Sequence, residues 1–312
     1  MEEIVSWLLG DDNPSVKYFT RKDILGEELS AKEANALNRE ILKSEPAKSI
    51  LELQNSQGWW YEDNFTFNPL YKNTFWQLYF LSQLGINNSN KNVDKAAHLV
   101  IKHMQNDKGS FPSVGRYWGN RACMQGITLE MLLRLGYADE DFMKKAIGFL
   151  TDFVYRTDYR CKYRQNFRCP WGTVKILKAL NLIPQDKRDE TVLSAMSRAI
   201  KFLLSHNIVE AKYPRKKPRS DQWFLFGFPR GYQSDILELT SALVDAGCSK
   251  NVSNLKAALK YISTKRQKDG AWKMEFTLNG RMLVDIEKKN KPSKWVTFFA
   301  LKTLLKSGYI KT

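Results

Sequence analysis

Gln54-Asn-Ser-Gln-Gly58-Trp-Trp60, Gln105-Asn-Asp-Lys-Gly109-Ser-Phe111 and Gln267-Lys-Asp-Gly270-Ala-Trp272 repeat one short pattern. Each is a Gln, two or three polar residues, a Gly, one residue and an aromatic, and each follows a helical stretch. The first two lie about 50 residues apart, and a period of that size marks a repeat architecture. A helix ending at Gln, a turn held by Gly and an anchoring aromatic form one supersecondary unit. Built mostly of helix, that unit is a helical hairpin.

Working outward, helix stops recur at Asp23-Ile-Leu-Gly26, Gln83-Leu-Gly85, Arg134-Leu-Gly136, Asp245-Ala-Gly247 and Lys306-Ser-Gly308, with Asn181-Leu-Ile-Pro184 filling the gap. They predict six inner helices, over 14–25, 72–84, 122–135, 171–182, 233–246 and 294–307. Outer partners fall at 44–54, 92–105, 140–155, 190–206 and 252–266, and a short helix at 2–9 is a degenerate sixth. Segment 152–163 stands where the third and fourth units lack the motif. Open helical arrays carry polar capping repeats, yet Trp295-Val-Thr-Phe-Phe-Ala-Leu-Lys-Thr-Leu-Leu305 is as apolar as an interior helix. The expected fold is therefore all-α: a closed α/α toroid, one domain over 1–312, with helices of 1–43 packed onto the ring.

The Gln-x-x-x-Gly-x-Trp pattern resembles the QW motif of the terpenoid cyclase and protein prenyltransferase superfamily. Its physical reading is a surface clasp, with the Gln bonding backbone at a neighbouring helix end while the aromatic stacks. The chain is similar along nearly its whole length to squalene-cyclase-like proteins of prokaryotes. That likeness rests on Trp7-Leu-Leu-x4-Pro14, Tyr71-Lys-x-Thr-Phe-Trp76, Cys123-x-x-Gly126, Cys169-Pro-Trp-Gly-x-Val-Lys175, Gly227-Phe-Pro229 and Asp285-Ile-Glu287-x4-Pro292-Ser-x-Trp295. The resemblance implies an apolar, isoprenoid-like ligand or substrate in a central cavity. Two departures limit it. The Asp-x-Asp-Asp motif with which class II cyclases protonate alkenes is absent, and Asp11-Asp12 reads as a cap before Pro14. The farnesyltransferase zinc site, with its Asp two residues before Cys, is not matched either. Arg121 and Ala122 precede Cys123, Phe167 stands two before Cys169, and His98, His103 and His206 fall on outer helices.

Apolar residues make up 43% of the 312 and aromatics 12%, enough for a large core. No run reaches the ~20 apolar residues of a membrane span, and the start lacks the basic and apolar regions of a signal peptide. Four cysteines without framework spacing suit a reducing cytoplasm. The formal charge of +16 points to anionic partners or to solvated surface. It is concentrated in the loop Lys212-Tyr-Pro-Arg-Lys-Lys-Pro-Arg219 and in Arg160, Lys162, Arg164 and Arg168. A diphosphate, an anionic membrane surface or nucleic acid would answer that charge, although no groove-reading motif accompanies it.

Parallel inner helices gather their N-termini at one mouth, where unpaired N–H groups favour anions. Sulfur, charge and aromatic residues collect there. Tyr71, Trp76, Arg121, Trp171, Lys175 and Trp295 are the expected substrate-binding residues. Cys123, Cys161 and Cys169 would converge as thiolates on a soft ion, zinc first, with Asp235, Asp285, water or substrate as fourth ligand. Inert buried thiols and a Cys161–Cys169 disulfide are the alternatives. Asp235 is either a catalytic acid or a charge stabilising a helix start. Asp285 and Glu287 are an alternating pair for acid–base work, metal binding or salt bridges to Arg281 and Lys288. Two function classes follow: a cyclase- or prenyltransferase-like enzyme, and a non-enzymatic toroid that holds a protein or polyanionic partner through basic loops.

Overall fold

The computed structural model describes residues 1–61, 68–112, 121–161, 163, 165–211, 213 and 221–311. Among them thirteen α-helices follow one another: α1 (Glu2–Leu8), α2 (Pro14–Asp23), α3 (Ala31–Lys43), α4 (Glu45–Glu52), α5 (Thr74–Gln83), α6 (Lys91–Met104), α7 (Ala122–Leu135), α8 (Asp141–Thr157), α9 (Pro170–Asn181), α10 (Glu190–Leu204), α11 (Ile236–Asp245), α12 (Ser253–Thr264) and α13 (Lys294–Lys306). Two antiparallel ladders interrupt them, β1 (Arg160–Cys161) with β2 (Phe167–Arg168), and β3 (Trp272–Lys273) with β4 (Pro292–Ser293). The fold is an α/α toroid. Helices α5, α7, α9, α11 and α13 pack in sequence, and α2 closes the inner ring against α13.

Burial separates the two layers. Every residue of α5 is buried, and a helix apolar all round belongs in the interior. Outer α6 buries only Val93, Ala96, Ala97, Val100 and Met104, a single stripe at helical spacing. The expected inner and outer helices all form, with ends shifted by up to three residues. Helix α3 was not among them. It begins with a capping box between Ser30 and Glu33, and it belongs to no repeat.

The motif works as a clasp at the rim. Gln54 Nε2 donates to Gly58 O (3.0 Å) and to Asn92 O (3.1 Å) at the start of α6. Gln105 Nε2 does the same for Gly109 O (3.3 Å) and Phe142 O (2.9 Å) at the start of α8. The aromatics lock the hairpin: Trp60 Nε1 donates to Ile50 O (2.6 Å) and Trp272 Nε1 to Ile262 O (2.8 Å). In the third copy Arg266 Nε takes over the bond to the turn glycine, Gly270 O, at 3.1 Å. No aromatic of the motif lines the central cavity.

Helices α7 and α9 are the most intimate inner pair. A Cβ on Gly126 would stand 2.5 Å from the Lys175 carbonyl carbon, and one on Gly172 2.7 Å from Ala122 Cβ. The glycines of the Cys123-x-x-Gly and Pro-Trp-Gly segments are thus needed for backbone approach. Among the described residues no helix is long and apolar enough to cross a membrane.

Candidate functional site

The inner ring holds a cavity of about 80 Å³, bordered by the C-terminal halves of α2, α5, α7 and α9 and by α11 and α13 along most of their length. Phe19, Trp295, Phe298 and Phe299, on α2 and α13, form one wall. Glu130, Arg134, Lys178, Arg230 and Glu238 supply the charged lining, with the Arg230 guanidinium 5.4 Å from the Phe299 ring centre. Asp23, Asp245 and Lys302 stand at the partly exposed outer end.

The charged wall is a connected network. Lys178 Nζ lies 3.0 Å from Glu130 Oε1 and 2.6 Å from Glu238 Oε1. Lys175 Nζ straddles the Glu238 carboxylate at 2.7 and 2.8 Å. Arg134 Nε donates to Glu130 Oε1 at 2.9 Å, and the Tyr79 hydroxyl to Glu130 Oε2 at 3.2 Å. Beside them Arg230 pairs with Asp235, and the Gln83 amide bonds both Arg230 backbone groups, at 2.8 Å to N and 3.1 Å to O. Glu130, Lys175 and Glu238 are buried to 2% exposure or less. Burial alone would raise Glu238, yet Lys175, Lys178 and Arg230 outweigh it and hold that carboxyl well below the usual range. Glu130 is lowered against burial by Lys178, Arg134 and Lys175. Burial drives Lys175 down to about 8, with Glu238 pulling the other way.

Of the expected site residues, Lys175 joins this network directly and Asp235 through Arg230. Tyr71, Arg121 and Trp171 gather at the N-terminal mouth, as the parallel helices require. Tyr71 stacks on Tyr232 (6.4 Å), Trp171 meets Tyr232 edge-on (6.3 Å), and Arg121 lies over the Tyr163 ring (3.5 Å). Trp76 is buried beneath Tyr71 at 4.7 Å. Trp295 stacks on Phe228 at 4.0 Å and faces the cavity. Asp235 caps α11, accepting from Glu238 N at 2.7 Å, and burial raises its carboxyl despite Arg230.

Asp285 and Glu287 part company. Asp285 is exposed and accepts from Gly280 N at 2.9 Å. Glu287 receives Ser293 Oγ and the N–H groups of Lys294 and Trp295 at the head of α13; burial raises its carboxyl. Their ion pairing runs to neither Arg281 nor Lys288 among the described salt bridges, because backbone donors take both carboxylates. Glu287 borders a wide groove of about 980 Å³ at the junction of the first and last units. Charges pair across that groove, Lys17 with Asp11 at 2.7 Å and Lys294 with Asp12. Asn13, not Asp11 or Asp12, caps α2.

The cysteine expectation is corrected. Cys161 and Cys169 do come together, on the β1–β2 hairpin, with a hydrogen bond between their side chains. Cys123 is close enough to feel Cys161. Yet among the described residues no three His, Cys, Asp or Glu side chains gather as a metal-ligand set. Nor is the chemistry that of thiolates. Burial pushes Cys123 up to about 11, and the bond to Cys161 together with burial raises Cys169 well above an ordinary thiol. Desolvation wins over the helix N-terminus. Trp118 and the basic loop around Lys212–Arg219 lie outside the described residues, apart from Tyr213, which is buried and donates to Leu203 O at 3.1 Å. Lys162 and Arg164 lie outside them too.

Sequence reasoning passed over Glu130, Arg134, Lys178 and Glu238. Their signal was present: ionisable residues set inside the apolar runs Leu129–Leu135, Val174–Leu180 and Ile236–Leu243.

No family model matches the chain, and no curated protein does. Solved structures similar to it include a possible GH105-family member from Salmonella enterica serovar Paratyphi A, at 11% identity over 96% of this chain and 82% of that one, TM-score 0.47. A GH76 α-mannanase from Bacteroides thetaiotaomicron has 13% identity over 98% and 85%, TM-score 0.42. A type II terpene cyclase from Scytonema has 12% identity over 90% and 99%, TM-score 0.33. Likenesses this distant assign no activity.

Proposed function

We propose that this toroid binds a compact molecule in its central cavity, with the polar side of the ligand on the Glu130–Arg134–Lys178–Glu238 wall and its apolar side on Phe19, Trp295, Phe298 and Phe299. The observation that carries this reading is a largely buried ionic network and an aromatic cluster that line one space, with Glu130 and Glu238 fully buried and Arg134 and Lys178 partly exposed. Binding is favoured over acid–base chemistry because the carboxylates facing the cavity are each engaged by cations. Size restricts the ligand. About 80 Å³ is roughly half of an apolar cavity of ~150 Å³ that accepts benzene, and below the ~300–1,000 Å³ of pockets for larger ligands.

An isoprenoid chain is the second reading, favoured by the aromatic wall alone; it requires the ring to open. The test is thermal unfolding of the intact protein against a panel of small polar and amphipathic compounds, beside a Ser241→Leu variant that fills the cavity. Saturable stabilisation of the intact protein, lost in the variant, supports the proposal. Stabilisation by farnesol but by no smaller compound would favour the isoprenoid reading. No saturable stabilisation, or equal stabilisation of the variant, sinks both.

A further inference from the structure

We propose that Cys161 and Cys169 form a reversible dithiol–disulfide pair that clamps the β1–β2 hairpin to the head of α9 at the N-terminal mouth. This is independent of the central cavity. The ladder register places the two residues. Phe167 stands opposite Cys161, and Cys169 continues the same extended strand at φ −104° and ψ 109°. Side chains alternate along a strand, so Phe167 and Cys169 share the face that Cys161 occupies. Cys161 and Cys169 are thus diagonal neighbours across the ladder, and their side chains are already hydrogen-bonded. Closing the bond calls for side-chain rotation and not for a new fold. Cys248 follows α11 at the opposite end of the ring. Cys123, at the head of α7, feels Cys161, but burial raises its thiol to about 11.

The two partners differ in access. Cys161 is partly exposed, whereas Cys169 is 6% exposed. Burial and the bond to Cys161 keep Cys169 protonated, so Cys161 is the attacking sulfur. As a thiolate it attacks one sulfur of a small-molecule disulfide such as glutathione disulfide. The oxidant's S–S bond breaks, one glutathione leaves, and a mixed disulfide remains on Cys161. Cys169 then gives up its proton, attacks Cys161 Sγ and expels the second glutathione. Two electrons have passed to the oxidant, and the two thiol protons end on the two released glutathiones.

The clamp acts where the backbone is least secured. The ladder is only two residue pairs long. At its base Asp158 and Tyr159 take left-handed φ values of 48° and 60°, a costly conformation for non-glycine residues. They are held by the Arg168–Asp158 ion pair, by Cys169 N donating to Tyr159 O at 2.9 Å and by the Tyr159 hydroxyl donating to Ala195 O at 2.8 Å. Cys169 is also the N-cap residue of α9, and Trp171, two residues on, faces Tyr232 at the mouth. Oxidation therefore ties β1 to the helix that carries the aromatic wall of the mouth.

The test dialyses the intact protein against glutathione buffers of rising disulfide-to-thiol ratio, blocks the remaining thiols with iodoacetamide and maps the peptides by mass spectrometry. The expected result is the loss of two of the four thiols, a Cys161–Cys169 link and full reversal by dithiothreitol. The oxidised protein should melt a few degrees higher, since a cross-link narrows the unfolded ensemble. Its Trp171 indole ¹H–¹⁵N resonance should shift while those of Trp60 and Trp272 stay in place. Cys161→Ser, at the more exposed position, should keep its three thiols and its melting temperature in every buffer. Cys248→Ser should respond like the intact protein. The proposal is overturned if all four thiols persist, if glutathione stays on Cys161 as a mixed disulfide, or if Cys161 links to Cys123. A Cys161–Cys169 link that moves neither the melting temperature nor Trp171 overturns the clamp as well.

Discussion

Lys178 holds two buried carboxylates with one ammonium, and Lys175 adds a second cation to one of them. The network is therefore asymmetric, and its members should not respond alike to substitution. Glu238→Gln leaves Lys175 and Lys178 facing each other without their shared counter-charge. It should cost about 3–5 kcal/mol, the range for breaking a buried pair from one side. Lys175→Met keeps the aliphatic stem and leaves Glu238 paired with Lys178, so its cost should be clearly smaller. Urea unfolding of the two variants decides this; equal losses would show that Lys178 alone does not hold Glu238. The same groups set an acid limit. Glu130 and Glu238 are held below the ordinary carboxyl value of 4.5 when folded. Between their folded values and 4.5 the unfolded chain binds more protons. Their contribution is thus complete above about pH 4.5 and is lost as pH falls. The melting temperature should drop below that pH, and the drop should be shallower in Glu238→Gln.

The helices were readable because two kinds of mark delimit them: Gly-ended stops, and inner segments with no polar face. Gly136, at φ 100°, ends α7 in the left-handed conformation that favours glycine. Helix α3 escaped because it has a start signal, Ser30 with Glu33, but no place in the repeat. The site was less readable. Helix dipoles directed attention to the N-terminal mouth, where Tyr71, Arg121 and Trp171 do gather. The open space lies deeper in the ring, where side-chain volumes decide what stays open, and no periodicity encodes that. Two glycines make the helix packing testable. Gly126→Ala places a methyl within 2.5 Å of α9 backbone, so α7 and α9 must separate, at a cost of roughly 1–3 kcal/mol. Gly148→Ala, in α8 with open space around it, should instead stabilise by about 1 kcal/mol through helix propensity. Chemical denaturation with opposite signs for the two is the expected outcome. At the clasps, Trp272→Ala should cost roughly 3–5 kcal/mol, because a fully buried ring and its bond to Ile262 O are both lost. A loss under 1 kcal/mol would mean that β3 and α13 hold the ring without it.

The ring as a whole is closed from both ends of the chain. Asp12 ties to Lys294, Asp23 to Lys302, and Phe19 packs on Trp295 and Phe298 at 6.0 and 5.9 Å. This closure completes the cavity, since Phe19 and Asp23 from the first unit join walls built by α5, α7, α9, α11 and α13. It also supplies a reporter. Trp295 faces the cavity, whereas Trp60 and Trp272 point their indole N–H groups at rim carbonyls. The deciding measurement is the set of indole ¹H–¹⁵N resonances, assigned by single Trp→Phe substitutions and followed as the panel of small polar and amphipathic compounds is titrated in. A ligand in the central cavity predicts a saturable shift of Trp295, with Trp60 and Trp272 unmoved. Shifts confined to the rim indoles, or an unmoved Trp295 with every compound, would contradict a binding site at the ring axis.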